Sequence, residues 1–174
     1  TYNFSGETLR DDSSFWSQNG EELLRILDYV NVHSYAGFFD NRFNQGWTPE
    51  LQLDVLKSDA DLFAKVLEDY GMGDKPLVLG ETGWQSRGAD PAVTSVDNMA
   101  SYFDGVRQYV AGQDSQFDGM FYFNFTDEKW KGADNYWGLY EEGDNSGIGP
   151  SKFQWGLPPQ LGLRLIADSG SAKR

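Results

Sequence analysis

Apolar and polar positions along this chain fall into short regular stretches separated by aromatic and glycine-rich loops. Tyr29-Val30-Asn31-Val32-His33-Ser34-Tyr35 alternates with the period of a strand that has one buried face. Thr48-Pro49 has the chemistry of a helix start, a capping hydroxyl followed by proline at the first helical position. Gln52, Leu56, Ala60, Phe63 and Leu67 then share one helical face, and Gly71 offers a stop. Leu77-Val78-Leu79-Gly80 is a compact apolar run that reads as a buried strand, ended by Glu81. Val96, Met99, Phe103, Val106 and Val110 recur at spacings of three and four, an amphipathic helix, with Thr94 and Asp97 resembling a capping box at its start. Gly119 to Phe125 predicts a third strand, with Phe121, Phe123 and Phe125 as its buried face. Ahead of the first strand, Asn19 is placed to cap a short helix from Gly20 to Leu27, with Glu21 and Glu22 suiting the positive end of its dipole.

Residues 1–19 and 36–47 show no periodicity, and regularity fades again after Tyr140. Asp144-Asn145-Ser146-Gly147 reads as a turn, because it lacks the spaced acidic ligands and terminal Glu of a calcium loop. Residues 1–154 form one structural unit in this reading, and residues 155–174 a tail or linker. Strand, helix, strand, helix, strand implies parallel strands with right-handed crossovers, an α/β architecture.

Composition narrows the function. A net charge of -13 argues against nucleic acid and anionic membranes as partners and suits a neutral or cationic one. The absence of cysteine excludes disulfides and thiolate metal sites, and neither a metal nor a cofactor is expected. At 174 residues the chain is shorter than a complete barrel of about 250. It starts at Thr1 without an apolar targeting segment and is expected to be a processed, excised or truncated product.

Parallel strands share one C-terminal edge, so the polar residues that follow each strand converge. His33 and Tyr35 follow the first strand, Glu81 and Trp84 the second, and Asp127, Glu128, Trp130 and Lys131 the third, with Asp134, Tyr136 and Trp137 beyond. Carboxylates and a lysine can take sugar hydroxyls, and an indole such as Trp84 offers a flat apolar face to a sugar ring. As the only histidine, His33 cannot build a metal site alone.

Over roughly residues 20–154 the chain resembles the C-terminal part of glycoside hydrolase family 17, the endo-1,3-β-glucanases of plants, fungi and their relatives. Asn31-Val32-His33-Ser34-Tyr35 is similar to the sixth barrel strand and Gly80-Glu81-Thr82-Gly83-Trp84-Gln85-Ser86 to the seventh. Phe125-Thr126-Asp127-Glu128-Lys129-Trp130-Lys131 is similar to the eighth, and Tyr136-Trp137-Gly138-Leu139-Tyr140 to the closing segment. The resemblance implies a (β/α)8 TIM barrel of which this chain holds strands six to eight with their helices. It implies Glu81 as catalytic nucleophile, Tyr35 as the aromatic hydroxyl near it, and Glu128 with Lys131 as a charged pair near the cleft. Asp134 stands where the family usually has Glu, Gln85 where proline is common, and His33 where some members carry Tyr. The family's acid/base Glu belongs to an Asn-Glu pair on the fourth strand, and no Asn-Glu dipeptide exists here, so the N-terminal half of the barrel is a missing partner.

The implied activity is retaining hydrolysis of a β-1,3-glucan, in an extracellular or cell-wall location. A glucanosyltransferase is the alternative within the class, and a non-catalytic glucan-binding or wall fragment the alternative outside it.

Overall fold

The computed structural model describes residues 15–35, 46–88, 90–132 and 135–153. Its elements in chain order are α1 (Phe15–Ile26), β1 (Val30–Ser34), α2 (Pro49–Asp69), β2 (Leu77–Thr82), α3 (Val96–Ala111), β3 (Gly119–Tyr122), β4 (Tyr140–Glu142) and β5 (Ile148–Ser151). The strands β1, β2 and β3 form one parallel sheet in that spatial order, and β4 pairs with β5 in an antiparallel hairpin. Parallel neighbours need long crossovers, and here those crossovers contain α2 and α3.

The start of α2 is as the sequence predicts. Thr48 caps it by accepting the Leu51 N–H at 3.3 Å, and proline takes the first helical position. Gln52, Leu56, Ala60, Phe63 and Leu67 are all buried. Gln52 tolerates this because its side-chain oxygen accepts the Trp47 indole N–H at 3.0 Å. Gly71 follows the helix at φ +69°, where a side chain would be strained.

Other boundaries differ from expectation. Helix α1 begins at Phe15, so Asn19 lies inside it and does not cap it. A single Asn or Gly costs a helix interior about 1 kcal/mol or less, too little to stop one that docks Leu24 and Gly20 against the fold. The cap of α3 is Ser95, which accepts the Asn98 N–H at 3.1 Å. The Thr94 hydroxyl is engaged elsewhere, donating to the Asp90 carbonyl at 2.7 Å.

Helices α2 and α3 cover one face of the sheet. Val30, Val32, Leu77 and Leu79 meet Leu56, Phe63, Met99 and Val106 there in one core. The edge strand β3 corrects the expected phenylalanine face. Phe121 is 67% and Phe125 53% exposed, while Met120 and Tyr122 pack against the core. Phe121 has the parity that faces away from the helices, and Phe123 and Phe125, beyond the end of the ladder at Tyr122, share that parity in sequence, so alternation gives none of the three a place in the helix-side core. The hairpin β4–β5 arises where the sequence shows no period, around the Asp144–Gly147 turn in which Asn145 takes φ 55°. No helix among the described residues is long and apolar enough to cross a membrane.

Candidate active site

Strict alternation would give Glu81 the parity of Leu77 and Leu79 and turn it into the helix layer. A bulge prevents this. Val32 pairs with Leu79 but His33 pairs with Glu81, so Gly80 is the extra residue in β2. Glu81 thereby joins His33 and Tyr35 on the face away from the helices, and Thr82 takes the inward position. Gly80 is required for close approach, because a Cβ there would lie 1.5 Å from Asn31 Oδ1. Thr82 is locked beneath the site by its hydroxyl, which donates to the Ser34 carbonyl at 3.0 Å and meets the Tyr102 hydroxyl at 2.6 Å. Burial pushes the Tyr102 hydroxyl up to about 12.

On the open face, Tyr35 Oη donates to Glu81 Oε2 at 3.3 Å, and His33 Nδ1 stands 3.5 Å from the same oxygen. Burial, and after it the Glu81 carboxylate, raise the Tyr35 hydroxyl far above its ordinary range, so it stays a donor at any working pH. The Glu81 side chain remains 40% exposed, open to an incoming ligand. The aromatic wall beside this cluster is Trp137, whose ring meets Tyr35 edge-on at 5.6 Å. Gly83 lets the strands close at this point, since a Cβ there would lie 2.0 Å from the Phe123 carbonyl oxygen.

Trp84 is a correction. It is 0% exposed, its indole N–H donates to the Val93 carbonyl at 2.9 Å, and its ring packs on Tyr102 at 5.5 Å. Its face is a core surface and is closed to a sugar. The expected stacking face would have to come from an exposed indole, and Trp130 is 69% exposed.

In the loop after β3, Glu128 and Lys131 form the expected pair at 2.6 Å. The Lys131 ammonium also lies 5.0 Å from the Trp130 ring and 5.7 Å from that of Phe123. Asp134 lies outside the described residues.

The sequence reading missed Lys152, in a segment without periodicity. Its ammonium reaches Asp127 Oδ1 at 2.6 Å and donates to Ser86 Oγ at 2.7 Å, with side-chain exposures of 5% for Lys152 and 2% for Asp127. The same Asp127 oxygen accepts the Gly138 N–H at 2.9 Å, and Ser86 Oγ donates to the Tyr136 carbonyl at 3.0 Å. Burial pulls the Lys152 ammonium below the usual lysine range, and Asp127 opposes that pull. One buried cation thus ties the loop after β2, the loop after β3 and the end of the hairpin.

The parallel strands and the helices in their crossovers form a partial α/β domain of TIM-barrel-related fold. The solved structures that the chain resembles narrow this to a partial glycoside hydrolase family 17 fold. The glycoside hydrolase family 17 β-1,3-glucanosyltransferase from Rhizomucor miehei matches with a TM-score of 0.56 and 24% identity, over 76% of this chain and 46% of that one. An active-site mutant of the Rhizomucor miehei β-1,3-glucanosyltransferase, in complex with laminaritriose, matches with a TM-score of 0.54 and 22% identity, over 75% of this chain and 46% of that one. The chain therefore spans about half the length of these structures. No protein-family model matches the chain, and no curated protein does.

Proposed function

We propose that this chain is the C-terminal portion of a retaining glycoside hydrolase acting on β-1,3-glucan outside the cell or in the cell wall, with β1, β2 and β3 as barrel strands six to eight. The observation that carries this reading is Glu81 itself. It is a half-open carboxylate at the C-terminal end of the central parallel strand, turned to the open face by the Gly80 bulge and hydrogen-bonded by Tyr35 at 3.3 Å.

In the proposed mechanism Glu81 Oε attacks the anomeric carbon, the glycosidic C–O bond breaks, and a glycosyl ester forms. A second carboxyl group, about 5–5.5 Å away in retaining enzymes, protonates the leaving oxygen and then deprotonates the water that cleaves the ester. The Tyr35 hydroxyl steadies Glu81 as an anion before attack and as a leaving group afterwards. The acid/base belongs to the part of the barrel outside this chain, in keeping with coverage of 46% of the family 17 structures. The chain alone is accordingly expected to release no reducing sugar from laminarin, because general acid assistance is worth about 10²–10⁴-fold.

The test is a mechanism-based 2-fluoro glucosyl probe applied to the complete barrel. A covalent adduct on the peptide holding Glu81 is the expected outcome. An adduct on Glu128 would exchange the roles and end the assignment. Transfer to a second sugar in place of water is the alternative, favoured by the name of the Rhizomucor miehei structures. Chain-lengthened products from laminari-oligosaccharides distinguish it.

A further inference from the structure

In a chain of net charge -13, lysines and arginines find acidic partners easily. Among the described residues, Arg25, Lys57, Lys65, Arg107, Lys131 and Lys152 each lie within 4 Å of a carboxylate. Lys75 donates to the Leu27 carbonyl. The two cations that remain, Arg87 and Lys129, make no side-chain ion pair with a carboxylate among the described residues, and both line one cavity of about 690 Å³.

The cavity lies outside the Glu81 cluster, since none of His33, Tyr35 and Glu81 lines it. Its wall also holds Ser86, Asp127, Tyr136, Glu141 and Lys152. Among the described residues that line it, Asp127 and Lys152 neutralise each other at 2.6 Å, which leaves Arg87 and Lys129 against Glu141, a surplus of one positive charge. The Arg87 guanidinium lies 5.3 Å from the centre of the Tyr136 ring, and the Lys129 backbone N–H is anchored to Glu142 Oε2 at 2.9 Å.

We propose that this cavity is a second binding site, for the carboxylate of a small polyhydroxyl acid of uronic-acid type. A guanidinium fork matches a carboxylate in geometry, and one surplus positive charge matches a monoanion better than a phosphate dianion. A bare ion would leave most of 690 Å³ unfilled, whereas pockets of about 300–1,000 Å³ suit small organic ligands. The remaining wall includes Tyr136 and Glu141, whose side chains carry a donor and an acceptor of the kinds that sugar hydroxyls need. The inference goes beyond the glucanase reading and does not depend on Glu81.

The test is an NMR titration of the full chain with glucuronate, its methyl glycoside, glucose and inorganic phosphate. Glucuronate is expected to shift the Ser86, Arg87 and Lys129 amides saturably, with glucose silent and phosphate weaker over the same range. In the double variant Arg87→Gln/Lys129→Gln affinity is expected to fall about tenfold or more, the loss typical of charge-assisted hydrogen bonds. Both residues are exposed, so circular dichroism should show the fold retained. Equal binding of the methyl glycoside supports the site and identifies a glycan-borne acid; preference for the free sugar supports it and identifies a free acid. Glucose or phosphate binding as tightly as glucuronate, shifts centred on His33, Tyr35 and Glu81, or an unchanged double variant would each overturn the proposal.

Discussion

Two carboxylates stand at or beyond the C-terminal ends of neighbouring parallel strands, and the fold treats them in opposite ways. Glu81, at the end of β2, meets the neutral Tyr35 hydroxyl and keeps 40% of its side chain exposed. Asp127, beyond β3, is sealed with the Lys152 ammonium and the Gly138 N–H on a single oxygen, and its side chain is 2% exposed. A neutral donor steadies a carboxylate without using up its charge, so it can still attack an electrophile. A buried ammonium consumes that charge and makes the carboxylate a structural joint. In the proposed mechanism it is therefore the pairing partner that separates a reactive group from a structural one; topological position does not.

The largest effect that sharpens this contrast is expected at Glu81. In the complete barrel, Glu81→Gln should lower kcat by about 10⁴-fold or more, as loss of a nucleophile does, while leaving the urea midpoint nearly unchanged. A variant with unchanged turnover would break the comparison. The opposite pattern is expected at the joint. Asp127→Asn or Lys152→Met leaves one buried partner uncompensated and should destabilise the fold by about 3–5 kcal/mol in urea unfolding. The double variant Asp127→Leu/Lys152→Met should recover much of that loss; equal destabilisation of single and double variants would show that the pair is not the cause.

Beneath Glu81, Tyr102 supplies a test by pH. Its hydroxyl titrates at about 12 in the fold against 10.0 when exposed, so the unfolded chain ionises first as pH rises. The stability it contributes is complete below pH 10 and is lost as pH climbs through 12, on the order of 3 kcal/mol. Alkaline unfolding followed by tryptophan fluorescence should show this fall, and Tyr102→Phe should make it shallower, the raised Tyr35, Tyr109 and Tyr122 hydroxyls supplying the remainder. The smallest effect is expected at Tyr35. Tyr35→Phe removes one hydrogen bond to a charged group, worth about 1.5–3 kcal/mol, and should lower kcat of the complete barrel roughly tenfold or more. A change confined to KM would mean that Tyr35 touches substrate and does not steady Glu81.

Much of the scaffold was legible because its signals are local. The Thr48 cap, the buried stripe of α2 and the apolar run of β2 each depend on residues a few positions apart, and each formed where the pattern predicts. Of the two misplaced caps, one has a local cause and one a tertiary cause. Ser95 displaced Thr94 as cap because the Asp90 carbonyl had taken the Thr94 hydroxyl. Asn19 failed as a cap because a short helix that docks on the core extends through a weak breaker.

The site was legible only in part. Tyr35 near Glu81, and Glu128 beside Lys131, are contacts that the order of motifs suggested and the fold makes. Trp84 was misjudged because an indole next to a catalytic-type carboxylate looks the same in sequence whether it faces solvent or core. The bulge at Gly80 reverses which neighbours of Glu81 point outward, and its evidence lies in pairing with β1, tens of residues away.

What the sequence determined by itself is the set of elements and the parallel order that brings their polar ends to one edge. Periodicity and capping are short-range physics, and a crossover helix leaves parallel pairing as the workable geometry. What the tertiary structure decided is the facing of Glu81, the burial of Trp84 and the capture of Asp127 by Lys152. Each depends on which surface a neighbouring element covers, and solvent exclusion by distant residues leaves no local mark on the chain.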